Sequence, residues 1–401
     1  MTLSFWQQQA REPERSYDVA VVGAGLIGTA TAYALAQQRP DLRLALVEAG
    51  ALAQGASGRN AGFLLQGVAA DYHACVETYG AERTRRLWAF TRENRELIET
   101  DLPASAIGLE RSGSLTVAGT PAEEERLQAS VSQLRADGTP AAFIPAAETN
   151  RRLVSQGFHG SLYVPSGGTV DPVRLVRYLA ETSGAALHTH HPVVALTADD
   201  HGLILETTRR RIRAVQVILA LNAYLPRLVP ALSRYVRPVR AQMLATVPQT
   251  PRWLALPIYS HEGYFYVRQH ADGALLVGGA RHLHEADEVG YADTPTTPVQ
   301  RDLERYLHRY FPQTATLPVR QRWSGTMGFS PDHLPVVGTV DGLDSVLWAA
   351  GFTGHGLGFG VRFGRLLADW LLGRARPDEQ QLFAAARFDR AQPARRTSSA
   401  A

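Results

Sequence analysis

The apolar residues of this chain fall into runs of distinct period. Tyr17–Val22 is short and almost wholly apolar, as a strand covered on both faces must be. A glycine loop follows, and then an alanine-rich stretch from Leu26 to Gln38 predicts a helix. Pro40-Asp41 turns the chain into a second apolar run, Leu42–Val47, which completes a βαβ unit. Residues 71–100 are charged with helical spacing and stop ahead of Pro103. Ser114–Val117 predicts a strand. Pro121–Ala136 predicts a helix whose first turn carries Glu123, Glu124 and Glu125, at the end where the macrodipole favours acids. Asp171 ahead of Pro172 marks a further helix start. Strands are expected at about 185–198 and 202–207, and Val215–Leu221 is again a buried run. From Val236 to Gly279 the pattern turns to β, with Tyr264–Val267 and Ala274–Val277 flanking the turn Ala271-Asp272-Gly273. Pro298–Tyr310 predicts a helix. Val346–Ala350 is a last buried strand, before a glycine loop over 351–360 and a helix to Leu372.

The chain thus opens and closes in α/β and is β-rich in the middle. The expected fold class is α/β, with a discontinuous Rossmann-like domain from residues 15–100, 150–228 and 322–390. A second, β-rich α+β domain is expected from 101–149 and 229–321. A length of 401 residues suits about two domains, because single cores stop growing near roughly 250–300 residues. Residues 391–401 are small and polar and are expected to be a disordered tail.

Composition removes several chemistries. All 41 basic residues are arginine, so there is no lysine for a Schiff base, a P-loop or a kinase site. The single cysteine, Cys75, excludes an intrachain disulfide and any multi-cysteine metal site. A net charge of +3 does not imply nucleic acid. The start of the chain lacks the apolar core of a secretory signal. Val19–Ala36 is uncharged for 18 residues, but glycines 23, 25 and 28 break it at motif spacing, so no membrane span is expected. A cytoplasmic protein is the expectation. His188, His190, His191 and His201 look metal-like in the string, yet no acid or cysteine spacing completes a site, and no metal is expected.

Three glycine segments carry the chemistry. In Gly23-Ala24-Gly25-Leu26-Ile27-Gly28, Gly23 makes the tight turn, Gly25 admits a pyrophosphate, and Gly28 lets the helix pack on the strand. Glu48 lies 20 residues past Gly28, where an acid takes ribose hydroxyls and disfavours a 2′-phosphate. Gly55-Ala56-Ser57-Gly58-Arg59-Asn60-Ala61-Gly62 is a loop of small and hydrogen-bonding residues suited to wrapping a cofactor. Gly351-Phe352-Thr353-Gly354-His355-Gly356-Leu357-Gly358 is a second strand–loop–helix junction, whose helix start can stabilise negative charge.

Together with Trp323-Ser324-Gly325 and Pro331-Asp332-His333-Leu334-Pro335, these segments resemble the D-amino-acid oxidase superfamily of FAD-dependent oxidoreductases. GASGRNAG and GFTGHGLG most resemble its γ-glutamylputrescine oxidase-like branch. The resemblance implies FAD lying on Gly23, Gly25, Leu26, Ile27, Gly28, Glu48 and Ala49, with adenine near Val194. The diphosphate, ribityl chain and flavin ring would lie on Ser57, Arg59, Asn60, Ala61 and Gly62 and on Gly351, Gly354, His355, Gly356 and Leu357. It implies oxidation of a C–N bond in a small amine or amino acid by hydride transfer to flavin, with the imine then hydrolysed. Electrons would pass to oxygen or to a quinone, as in an amino-acid dehydrogenase.

Departures from that pattern bear on the substrate. The position of the carboxylate-binding arginine in glycine oxidase-like members is Met327 here. The lysine that serves in sarcosine oxidase-like members is replaced by Gly358, and their flavin-linking cysteine by Gly325. FAD is therefore expected to be non-covalent, with His73 as the one alternative attachment point. Either another arginine grips a carboxylate or the substrate lacks one. Arg268 is the first candidate, on the strand that follows Tyr264 and Tyr266; Arg281 and His282 come next. Tyr264 and Tyr266 share a face and can clamp an amine. The run Arg209-Arg210-Arg211-Ile212-Arg213 is expected to be a solvated hairpin face. The alternative is RNA contact in a flavin-dependent RNA-modifying protein.

Overall fold

The structure, a computed structural model, describes residues 4–6 and 12–389; the expected tail at 391–401 lies outside them. One sheet is built on the strand Arg15–Val22, whose last four residues are fully buried. It pairs in parallel with Leu44–Val47 on one side and Arg211–Leu219 on the other. Ala186–His188 and Leu343–Ala350 extend the sheet in parallel at either end. Val336–Val340 closes one edge antiparallel, and the hairpin Val193–Asp199/Gly202–Thr207 branches from Arg211–Leu219. The helices Leu26–Gln38 and Gly356–Leu371 pack on each other over this sheet. Gly364 makes that approach possible, since a Cβ there would lie 2.5 Å from Ala30. Pro172–Thr182 starts as expected, with Asp171 accepting from the N–H groups of Val173 and Arg174.

The second sheet has eight strands, in the order Val319–Phe329, Arg237–Thr246, Leu275–Gly279, Phe265–Gln269, Ile258–Ser260, Ser114–Val117, Ser161–Val164 and Ala142–Ile144. Thr297–Tyr310 covers it with a buried face of Val299, Leu303, Tyr306, Leu307 and Tyr310. Two expected boundaries shift. Ser161–Val164, assigned above to the nucleotide unit, is zipped between Ser114–Val117 and Ala142–Ile144 in this sheet. Val319–Phe329 runs past residue 322 as one eleven-residue strand paired along Arg237–Thr246. Strand periodicity reports burial but not which sheet a strand joins, so neither assignment was legible.

The basic run is the strand entry of a hairpin, and three of its four arginines are ion-paired. Arg210 pairs with Glu12, Arg211 with Glu206, and Arg213 with Glu14 and Asp199. Among the described residues no helix is long and apolar enough to cross a membrane.

Candidate functional site

The two sheets enclose an elongated cavity of about 1400 Å³, larger than the roughly 300–1,000 Å³ of ordinary small-molecule pockets. One end is the first glycine loop. Gly23 has φ +102°, and a Cβ there would sit 2.7 Å from the Ala220 carbonyl. A Cβ on Gly28 would sit 1.9 Å from the Gly23 carbonyl, so only glycine lets this helix start against its own loop. Gly25 opens the helix without a side-chain cap of its own, and the Leu26 N–H donates to Ser57 Oγ at 2.8 Å. The Glu48 carboxylate accepts from the Ala24 and Gly50 N–H groups, 2.9 Å each. Each of its oxygens keeps a lone pair for a further donor. Val194 lines the same end beside His191.

Residues 55–62 cross from this end toward the second sheet. Asn60 braces the loop from inside, donating to the Ala56 and Ser57 carbonyls and accepting from the Gly62 N–H. Arg59 ties the loop to the other domain through an ion pair with Asp293 and a 2.9 Å bond to the Ser324 carbonyl. Trp323 Nε1 returns a bond to the Arg59 carbonyl. Gly325 packs against Arg59, where a Cβ would lie 3.1 Å from Arg59 Cβ.

The far end is walled by aromatic rings and by the start of the helix Gly356–Leu371. Phe63, Tyr259 and Tyr266 meet edge to face at 5.1–6.1 Å, and Tyr259 stacks on His355. Burial pushes the Tyr266 phenol up to about 12, against the opposing charge of Arg281. Burial, opposed by a backbone hydrogen bond with Thr353 and helped by the Arg281 charge, pushes the His355 imidazole down to about 4. These groups are neutral near pH 7 and can bind or orient without carrying charge. Met327 contributes an uncharged thioether to the wall. Arg281 supplies the nearby positive charge, its guanidinium 5.1 Å from the Tyr264 ring centre and 4.8 Å from that of Phe329.

Most of the expected residues therefore meet in one cavity: Gly23, Gly25, Leu26 and Ile27, with Glu48, Ala49, Ser57, Arg59, Asn60 and Ala61. So do Val194, Tyr264, Tyr266 and Met327, and Gly354 through Leu357. Gly28, Gly62 and Gly351 stand just behind the wall, where their missing side chains allow backbone to pack. Arg268 is the correction. Strand alternation does put it on the side of Tyr264 and Tyr266, but there the sheet runs beneath residues 61–62. Its guanidinium is buried and donates to the carbonyls of Ala61, Gly62 and Val170 at 3.2–3.4 Å. It does not reach the cavity. His282 stacks on Tyr264 from outside the lining, whereas Arg281 lies in it. His73 pairs with Glu77, also outside the lining, and Cys75 is buried, its thiol pushed up to about 12. Tyr259 and Asp293 were missed. The first sits on a three-residue strand and the second in a loop, so neither has a local signal. Among the described residues no group of three or more His, Cys, Asp or Glu can hold a metal ion.

These residues fit an extended dinucleotide. Two helix starts and a ribose-type carboxylate face one elongated cavity, and any side chain at Gly23 or Gly28 would meet backbone. A family model described as FAD-dependent oxidoreductase matches residues 18–370. The γ-glutamylputrescine oxidoreductase of Escherichia coli is 28% identical over 372 residues, 89% of this chain and 84% of that protein. The glycine oxidase of Geobacillus kaustophilus is 28% identical over 370 residues, 88% of this chain and 92% of that one. The crystal structure of that glycine oxidase superposes with a TM-score of 0.76 over 90% of this chain and 96% of its own. L-proline dehydrogenase from P. horikoshii superposes at 0.79 over 94% and 99%, at 19% identity.

Proposed function

The chain belongs to the FAD-dependent oxidoreductase family and is an FAD-dependent amine or amino-acid oxidoreductase, and from that premise we propose how its residues divide the work. FAD, when bound, supplies the acceptor for a hydride from the substrate C–H next to nitrogen, leaving an imine that water hydrolyses. Glu48 would take ribose hydroxyls, the helix start at Gly25 would face the diphosphate, and residues 57–61 would hold the ribityl chain. The helix start at Gly356 would face the flavin ring, where its dipole would favour developing negative charge. No protein nucleophile is required.

Tyr259, Tyr266, Phe63 and His355 enclose the reacting carbon and exclude water. An amine enters this neutral box most readily as the free base, because a charged ammonium would lose its solvation there. His355, bare of charge, accepts a hydrogen bond and orients the nitrogen. Arg281 replaces Arg268 as the group that meets a substrate carboxylate. FAD is held without a covalent bond, since Gly325 stands at the linking position and both His73 and Cys75 lie off the cavity. The observation that carries this reading is the single cavity joining the dinucleotide loop to the aromatic box. It is tested by anaerobic addition of amines and amino acids to the yellow protein: bleaching of the flavin band supports it, and an unchanged spectrum across a broad panel refutes it.

A further inference from the structure

The charged groups lining the cavity are mostly spoken for. Arg59 pairs with Asp293, and Arg126 with Glu262 and Asp71. Glu48 is bonded by backbone N–H groups at the nucleotide end. Four further arginines line the cavity with no carboxylate partner among the described residues: Arg227 lies over the Tyr224 and Tyr291 rings and Arg234 over Tyr235, while Arg281 and Arg237 stand on the substrate side. The latter two flank one aromatic residue. Arg281 lies over the Phe329 ring, and Arg237 is the residue paired with Phe329 across the two long strands. His333 stands against the same ring at 6.2 Å and also lines the cavity. Both arginines act on it electrostatically, so all three groups share one neighbourhood. The acid nearest Arg281 in sequence, Glu285, also lines the cavity but is exposed and forms no ion pair with either arginine. Guanidinium groups are permanently charged and match carboxylates in bidentate geometry. Arg281 is half-buried between two rings and close enough to Tyr266 and His355 to act on both. Arg237 is exposed at the rim.

We propose that this site selects an amine bearing two carboxylates, one held by Arg281 beside the aromatic box and the second by Arg237 at the mouth. The inference rests on the amine-oxidoreductase reading above and narrows its substrate class. It also gives Met327 a consequence: with no charge at that position, recognition of the acid moves two residues along the same strand, to the arginines that flank Phe329.

The test uses the FAD-loaded enzyme and one amine core carrying two, one or no carboxylates: iminodiacetate, sarcosine and dimethylamine. Each carboxylate is expected to raise kcat/KM for flavin reduction by about ten- to a hundredfold, the range for a charge-assisted hydrogen-bonded pair. R281L should weaken iminodiacetate and sarcosine alike, with R281K recovering part of the loss. R237L should remove the preference for iminodiacetate over sarcosine, chiefly through KM. Binding is read separately from turnover, by the flavin band shift with malonate, succinate, glutarate and adipate against propionate and butyrate. Tighter binding of at least one dicarboxylate, lost in R237L, supports the proposal. Equal use of iminodiacetate and sarcosine, together with no dicarboxylate bound more tightly than the monocarboxylates, overturns it while leaving amine oxidation intact. If no amine of any charge reduces the flavin but dicarboxylates still bind through both arginines, the functional reading falls and the dicarboxylate site stands.

Discussion

Replacing Arg268 separates its two possible roles. The side chain is 5% exposed and has no acid ion-pair partner among the described residues; desolvation by burial holds its guanidinium below the usual arginine range. Its three bonds reach Ala61, Gly62 and Val170, so it staples the cofactor loop and the chain ahead of Pro172 to the second sheet. The Gly62 carbonyl keeps the Val170 N–H as a partner at 2.8 Å, whereas those of Ala61 and Val170 lose the guanidinium outright. Two buried carbonyls left short at about 1–3 kcal/mol each, less the relief of an unpaired buried cation, predict a loss of about 3 kcal/mol in Arg268→Met. The loop it anchors carries Ser57, Arg59 and Asn60, so FAD affinity should fall with stability. Urea unfolding of the holo-protein gives the first quantity, and titration of apoprotein with FAD the second. Saturating FAD should then restore a near-normal substrate KM. A variant of unchanged stability and FAD affinity, but with KM raised tenfold or more, would show that Arg268 holds substrate.

Acid should destabilise the fold through its neutral histidines. Burial puts His355 and His261 at about 4, below the ordinary 6.5, so the unfolded chain takes up protons first. Stability is thus full above about pH 6.5 and falls as pH drops toward 4, by up to about 3 kcal/mol for His355. The urea midpoint across that window should flatten in His355→Asn, and an unaltered slope would count against the buried neutral ring. Gly28→Ala should abolish FAD retention, because its methyl would lie 1.9 Å from the Gly23 carbonyl; a variant that purifies yellow contradicts the loop geometry. Acid precipitation should release all the FAD into the supernatant, and yellow colour retained in the pellet would reveal a covalent bond.

The nucleotide half was legible because its constraints are local. Gly23, Gly25, Gly28 and Glu48 each answer to one backbone approach or one hydrogen-bond pattern, and all follow within one βαβ unit. The strand Arg15–Val22 shows as a short apolar run and the helix Leu26–Gln38 as an alanine-rich stretch buried on nearly every side. The substrate half was legible only in part. Tyr264 and Tyr266 reach the cavity as strand alternation requires, but the same alternation promised Arg268, which the neighbouring domain intercepts. Arg281 escapes the strand pattern because it follows Gly279 at φ +127° and Ala280 in a left-handed turn, which swings it back over Tyr264. Its role depends on Phe329 from a distant strand, and no local pattern encodes that meeting.

Anaerobic reduction of the bound flavin tests the central claim most directly. With the purified yellow enzyme, bleaching by an amine or amino acid, followed by recovery of one imine-derived carbonyl product per flavin reduced, is the predicted result. A flavin band that stays oxidised across amines, N-methyl amines and amino acids of both hands, while dithionite still reduces it, would contradict it.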